Sequence, residues 1–191
     1  MIRVTQISVV YMPVDDSKDF TITVLDLKAT EGLLLQGSYL LNRAENLVKS
    51  YDYDGAIEAA QHSIELSIKS LYRLVGLPEP RTHFESPEAL KRKSEEEMPL
   101  ENVAEKLEGI PEHLMIWLAK TSWIGRMWAW AHNTSIYGCL DIPASKLFDE
   151  NDAKIAIQYA TTALINCRAI VESVKAGQTK IKPPNLAKKT K

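Results

Sequence analysis

Cysteine is scarce in this chain. Cys139 and Cys167 are its only two, they show no C-x-x-C spacing, and the four histidines, His62, His83, His113 and His132, are scattered. Such spacing indicates neither a disulfide framework nor a zinc site. Reduced thiols, no metal ligands and no cofactor are therefore expected. Long apolar runs are missing too. The longest stretch without Asp, Glu, Lys or Arg is fourteen residues, Met127 to Leu140, short of the roughly 18 that suggest a membrane span. The opening M-I-R-V-T-Q-I-S-V-V alternates apolar residues with Thr, Gln and Ser. It lacks the continuous apolar run and the small-residue cleavage site of a signal peptide. These absences point to a soluble protein that makes no use of a membrane, with the cytoplasm as the expected compartment.

A strong charge of either sign is also absent, but the formal net charge of -2 conceals an asymmetry. Residues 175–191 carry six Lys and no acid, which leaves 17 basic against 25 acidic residues, or -8, on the rest of the chain. An acidic body is ill suited to extended duplex binding, whose affinity comes from neutralised phosphates. The Lys- and Pro-rich end, residues 177–191, reads as a disordered solubilising tail that could add a weak nucleic-acid contact.

What remains suffices for one compact domain: 191 residues with 45% apolar content can bury a core without staples. Residues 2–12 and 20–27 are rich in β-branched residues, F-T-I-T-V-L-D-L alternates, and P-V-D-D-S-K-D between them is a turn signal. A β-hairpin over 2–27, within an appendage of residues 1–28, is the expectation. From Ala29 the period becomes helical. Leu33, Leu34, Leu40, Leu41, Leu47 and Val48 mark a helix over 30–50, and Ile57, Ile64, Ile68, Leu71 and Val75 mark one over 54–75 with Asp54 as its cap. The two should form an antiparallel hairpin. Ser86-Pro87 restarts a short charged helix whose S-E-E-E run reads as a solvated face, Ile110-Pro111 opens a Trp-rich helix to about Asn133, and Asp149 or Asn151 caps a last helix to Val174. The Trp-rich helix has two apolar stripes. Leu114, Trp117, Leu118, Thr121, Ile124, Trp128 and Ala131 form one, and Ile116, Trp123, Met127 and Trp130 the other. Apolar residues on two sides suit a helix with one stripe in the core and one in a homodimer interface. The fold expected is mainly α, an antiparallel bundle of about five helices over residues 29–176.

The stretch Y-D-Y-D-G-A-I-E-A-A-Q-H-S-I-E-L-S-I-K-S-L carries more than periodicity. Tyr53, Ala56, Gln61, Glu65, Lys69 and Leu71 follow a short tyrosine-containing turn with Q-x-x-x-E-x-x-x-K and then Leu. That pattern resembles the central helix of HEPN (higher eukaryotes and prokaryotes nucleotide-binding) domains. P-R-T-H, Pro80 to His83, sits where such domains often carry Thr-His, and Y-G with the loop P-A-S-K-L-F-D-E-N-D resembles their closing segment. The resemblance spans roughly residues 36–174. D-Y-D-G-A-I-E-A-A-Q-H-S-I-E-L is also similar to part of a tetratricopeptide repeat. That motif should recur after about 34 residues, whereas its nearest echo, at Asn151, begins 97 residues after Asp54.

Ribonucleases of the HEPN family pair an Arg with a His a few residues later. An imidazole moves protons near neutral pH, and a guanidinium holds a phosphate bidentately without a metal. Two registers of R-M-W-A-W-A-H-N-T-S-I-Y-G fit. Arg126 and His132 meet the loose spacing but would point about 120° apart on a continuous helix. Alternatively H-N-T-S-I-Y-G aligns with R-N-x-x-x-H-G: Asn133 and Gly138 match, His132 replaces the Arg and Tyr137 the His. A phenol titrating near pH ~10 is a poor general base at neutral pH. The preferred reading is a nucleotide- or RNA-binding module with a degenerate ribonuclease motif, its ligand contacts on His132, Asn133, Tyr137, Gln61, Glu65 and Lys69. The alternatives are an active metal-independent endoribonuclease with Arg126 and His132 as its catalytic pair, and a structural dimeric domain. The resemblance implies a small nucleotidyltransferase partner in a toxin–antitoxin pair, and a nucleotide or single-stranded RNA as ligand. Each residue also has an ordinary explanation: Arg126 as a solvated side chain, His132 near a helix end, Glu65 and Lys69 as an i, i+4 ion pair, Gln61 and His62 as interface polar groups, Trp128 and Trp130 as packing.

Overall fold

Helix α1 runs from Val24 to Lys49 and α2 from Tyr53 to Leu74. The computed structural model describes residues 24–79 and 100–182, with side chains from Leu27 onward. The hairpin expected over residues 2–23 and the charged helix expected after Ser86-Pro87 lie outside the described residues. Residues 24–27, expected to end the second strand, open α1 instead. Leu27, Thr30, Leu34, Gly37, Leu41, Ala44 and Val48 recur at spacings of three and four, and all are buried or half-buried. That 3.6-residue stripe carries the helix back to Val24, the end of the β-branched run, because packing overrides local strand preference.

The seam between α1 and α2 is lined by small residues. Ser63 Oγ on α2 donates to the Gly37 carbonyl at 2.8 Å, a contact that requires close backbone approach. Ile57, Ile64, Ile68, Leu71 and Val75 are buried as their spacing requires. The tight turn between the helices places Tyr51 at a left-handed φ of 64°. Asp52, not Asp54, caps α2: its Oδ1 accepts from the Gly55 N–H at 3.1 Å. Asp54 lies in the first turn, where a negative charge still favours the helix dipole.

Helix α3 (Leu100–Lys106) leads into strand β1 (Leu107–Glu108), and α4 spans Glu112–Trp128 behind Pro111. The expected single helix to Asn133 is broken at Ala129-Trp130, after which α5 covers Ala131–Tyr137. Ala129 and Trp130 keep helical backbone angles, so the break redirects the chain rather than ending the helical run. It turns Ala131 and Ser135 inward while α5 packs on α2.

A short turn follows α5. It leads to α6 (Ala144–Leu147) and then to α7 (Glu150–Lys175), which starts in a capping box between Asp149 and Asp152. Helix α7 buries Ala153, Ala156, Ala160, Ala163 and Cys167, and this narrow face lets it lie close against α1 and α2. Asn166 ties α7 to α4, its Nδ2 donating to Thr121 Oγ1 at 3.1 Å and to the Trp117 carbonyl at 3.3 Å.

The beginning of the Lys-rich end is ordered. Strand β2 (Lys180–Ile181) pairs antiparallel with β1, Thr179 is fully buried, and its Oγ1 lies 2.7 Å from Ser173 Oγ. Residues 177–182 thus depart from the tail expected over 177–191. Composition missed them because backbone pairing needs only a free strand edge, not apolar side chains.

Candidate functional site

Helix α2 carries Gln61, His62, Glu65 and Lys69 over two successive turns, and α5 presents His132 to it. His62 Nε2 and His132 Nδ1 stand 3.0 Å apart, joining side chains 70 residues distant in sequence. The rings are tilted by 36° with centroids 4.8 Å apart. Rings aligned head-on across that nitrogen contact would hold their centroids farther apart, so the two are bent out of line. Farther along α2, Glu65 and Lys69 form an ion pair at 2.5 Å, with the Glu65 side chain 8% exposed and the Lys69 side chain 17%. The expected i, i+4 pair is therefore present, and it is largely desolvated, where pairing matters more than at a surface. Gln61 is buried, and its Oε1 meets no donor among the described residues.

The other candidates are placed differently. Asn133 is half-buried and Tyr137 is 79% exposed at the end of α5. Arg126 reaches Glu101 on α3 at 3.0 Å, both side chains being well exposed. Arg126 and His132 thus engage different helices, α3 and α2. That agrees with the solvated reading of Arg126 and keeps it out of the α2–α5 contact. His132 Nδ1 faces His62, and the His132 carbonyl accepts from Ser135 Oγ at 3.0 Å.

The aromatic residues divide in two. Trp128 is buried and packs against Tyr159 at 5.9 Å, whereas Trp123 and Trp130 are 56% and 49% exposed. Trp130 stacks on Trp128, and Trp123 meets Tyr159 edge-on. A groove of about 570 Å³, lined by Val48, Tyr51, Glu150, Lys154 and Ile157 among others, contains none of the candidate residues. Among the described residues no three His, Cys, Asp or Glu side chains gather as a metal cluster, and no helix is long and apolar enough to cross a membrane.

His62 is the site residue that linear reading did not single out. Its sequence signal is slight: it follows Gln61 and lies one turn before Glu65. Nothing in the spacing links it to His132, because their meeting depends on the break that swings α5 onto α2.

The family model described as HEPN domain matches residues 30–169. No curated protein and no solved structure matches the chain.

Proposed function

Because the chain belongs to the HEPN domain family, a family of nucleotide-binding and ribonuclease-like modules, we propose that it binds a nucleotide or single-stranded RNA where α5 meets α2, and that its ribonuclease pair is degenerate. One observation carries this reading: His132 is held by His62 on α2 while Arg126 is held by Glu101 on α3. Cleavage by an Arg–His pair requires both groups at one phosphate, the imidazole at the 2′-hydroxyl and the guanidinium on the developing charge. Within a chain the two side chains are committed to different neighbours. Helix α2 carries Gln61, His62 and Lys69, the last paired with Glu65, and α5 carries His132 and Asn133, polar groups of the kinds that recognise phosphate and base edges. A homodimer, and a small nucleotidyltransferase partner in a toxin–antitoxin pair, belong to the same proposal.

Purified protein in EDTA, incubated with single-stranded RNA, tests it. No cleavage above background is expected. His132→Ala and Asn133→Ala should each weaken RNA or nucleotide binding by about tenfold, the order of one lost charge-assisted or bidentate contact, while Arg126→Ala changes it little. Metal-independent cleavage that disappears on Arg126→Ala would overturn the proposal in favour of a working Arg126–His132 pair assembled between chains. Cleavage gained by His132→Arg with Tyr137→His, which rebuilds R-N-x-x-x-H-G, would support decay from an active ancestor.

A further inference from the structure

We infer that the groove between α1 and α7 is an intramolecular docking surface whose occupant is the chain's own residues 2–22, seated on Leu35, Tyr39 and Ile165. The inference is independent of the RNA-binding reading.

Helices α1 and α7 run antiparallel, with Glu31 paired to Lys175 and Ser38 bonded to Arg168. Between them lies a groove of about 360 Å³, its floor made by the buried Leu34 and Val171 and its rim by Leu35 and Arg168 among others. The outer side of this seam is apolar and open. Leu35 is 52% exposed, Tyr39 one turn further along α1 is 65% exposed, and Ile165, one turn before Arg168 on α7, is 54% exposed. Large apolar side chains gathered along one seam in this way mark a surface that another segment covers. The seam also holds a cation with no acidic partner. Arg168 donates to Ser38 Oγ at 2.7 Å, and among the described residues no carboxylate stands within ion-pair distance of it.

The sequence before α1 has the complementary character. Ten of the twenty-one residues 2–22 are Val, Ile, Met, Phe or Tyr. A two-stranded ribbon, the form expected of them, is marginal in water until its apolar face packs on something. The turn signal P-V-D-D-S-K-D brings Asp15, Asp16 and Asp19 against one Lys, carboxylates suited to the Arg168 guanidinium. The tether is short as well. The segment joins α1 at Val24, about 16 Å from Leu35 at about 1.5 Å per helical residue. Attachment so near the groove gives the segment a high effective concentration there, which favours it over a separate partner.

Hydrogen exchange in the full chain, followed by mass spectrometry on peptides from residues 2–22, tests the docking. Their amides are expected to exchange about tenfold or more slower than those of an unstructured peptide, and equally so when the protein is diluted from micromolar concentration by about a hundredfold. Leu35→Glu combined with Ile165→Glu puts charge on the covered face and should abolish that protection while α2 peptides keep theirs. Both are surface positions of helices, so the bundle itself should tolerate the change. Arg168→Ala should lower the protection by severalfold. Ile155→Glu is the control: Ile155 is 46% exposed on α7, about 15 Å along the helix from Ile165, and its replacement should leave residues 2–22 protected. Unprotected amides at residues 2–22 in the unaltered chain, or protection that survives the double substitution, would overturn the inference. Protection lost on dilution would overturn it too, by assigning the groove to a second copy of the chain.

Discussion

At Gly138 the backbone takes φ 77°, and an added Cβ would come 2.0 Å from the Ile142 carbonyl oxygen. Both conditions demand glycine: left-handed φ and no room on the side facing the returning chain. The next residues continue the reversal, with Leu140 at φ 51° and Asp141 at φ 63° between a mutually bonded Cys139 and Ile142. Gly138→Ala is expected to lower stability by about 2 kcal/mol or more in urea unfolding, by positive-φ strain together with a backbone clash. A loss below about 0.5 kcal/mol would mean that the turn relaxes at little cost. The two cysteines are expected to differ just as sharply. Cys167 is fully buried and burial pushes its thiol pKa up, whereas Cys139 is exposed. Since the thiolate is the reactive form, a thiol reagent should modify one group per chain promptly in native buffer and the second only after denaturation. Two fast groups would show that α7 opens at Cys167. The sequence identified Gly138 as a family position; the structure supplies the reason, a carbonyl four residues on.

Among the elements, β2 behaves least like its composition. Lys180 and Ile181 pair with Glu108 and Leu107, and the Lys182 N–H donates to the Lys106 carbonyl at 2.8 Å. The turn before them carries the buried Thr179–Ser173 contact at the end of α7. Two truncations separate the docked part of the basic end from the rest. Stopping the chain after Lys182 is expected to leave the melting temperature in place. Stopping it after Ala176 should lower it by several degrees, because β1 loses its partner and Ser173 loses its hydroxyl neighbour. Equal melting temperatures for the two truncated proteins would show that the strand pair adds nothing. Element existence was legible in the sequence wherever an apolar period ran long, as in α2 and α7. Element ends were not. Asp52 caps α2 where Asp54 was expected, and α4 stops at Trp128 without a proline or glycine to announce it.

At the scale of the whole molecule, the two stripes of the Trp-rich helix meet different surroundings. Leu114, Leu118, Ile124 and Trp128 are buried, but Ile116, Trp123 and Trp130 remain 49%, 56% and 49% exposed. Exposed large apolar residues gathered on one face mark an interaction surface. A second copy of the chain is the proposed occupant. Sedimentation at micromolar concentration is expected to show twice the 21.5 kDa chain mass, and Trp123→Glu or Trp130→Glu should yield a folded monomer, since a charge in an apolar interface is strongly unfavourable. A monomer in the unaltered protein would remove the homodimer from the proposal.

The sequence by itself determined the helical class, the buried isoleucine stripe of α2, the Glu65–Lys69 pair and the family, because each is written in residues within a few turns of one another, where a 3.6-residue period and short-range hydrogen bonds are decisive; it narrowed the last helix's cap to Asp149 or Asn151, and the structure gives Asp149. Only the tertiary structure decided that His62 meets His132, that Arg126 goes to Glu101, and that residues 180–181 close a strand pair with 107–108. Those contacts join segments separated by 25 residues or more. They depend on the break after Trp128 and on the approach allowed by Gly37 and the alanine face of α7, relations between helices that no local period records.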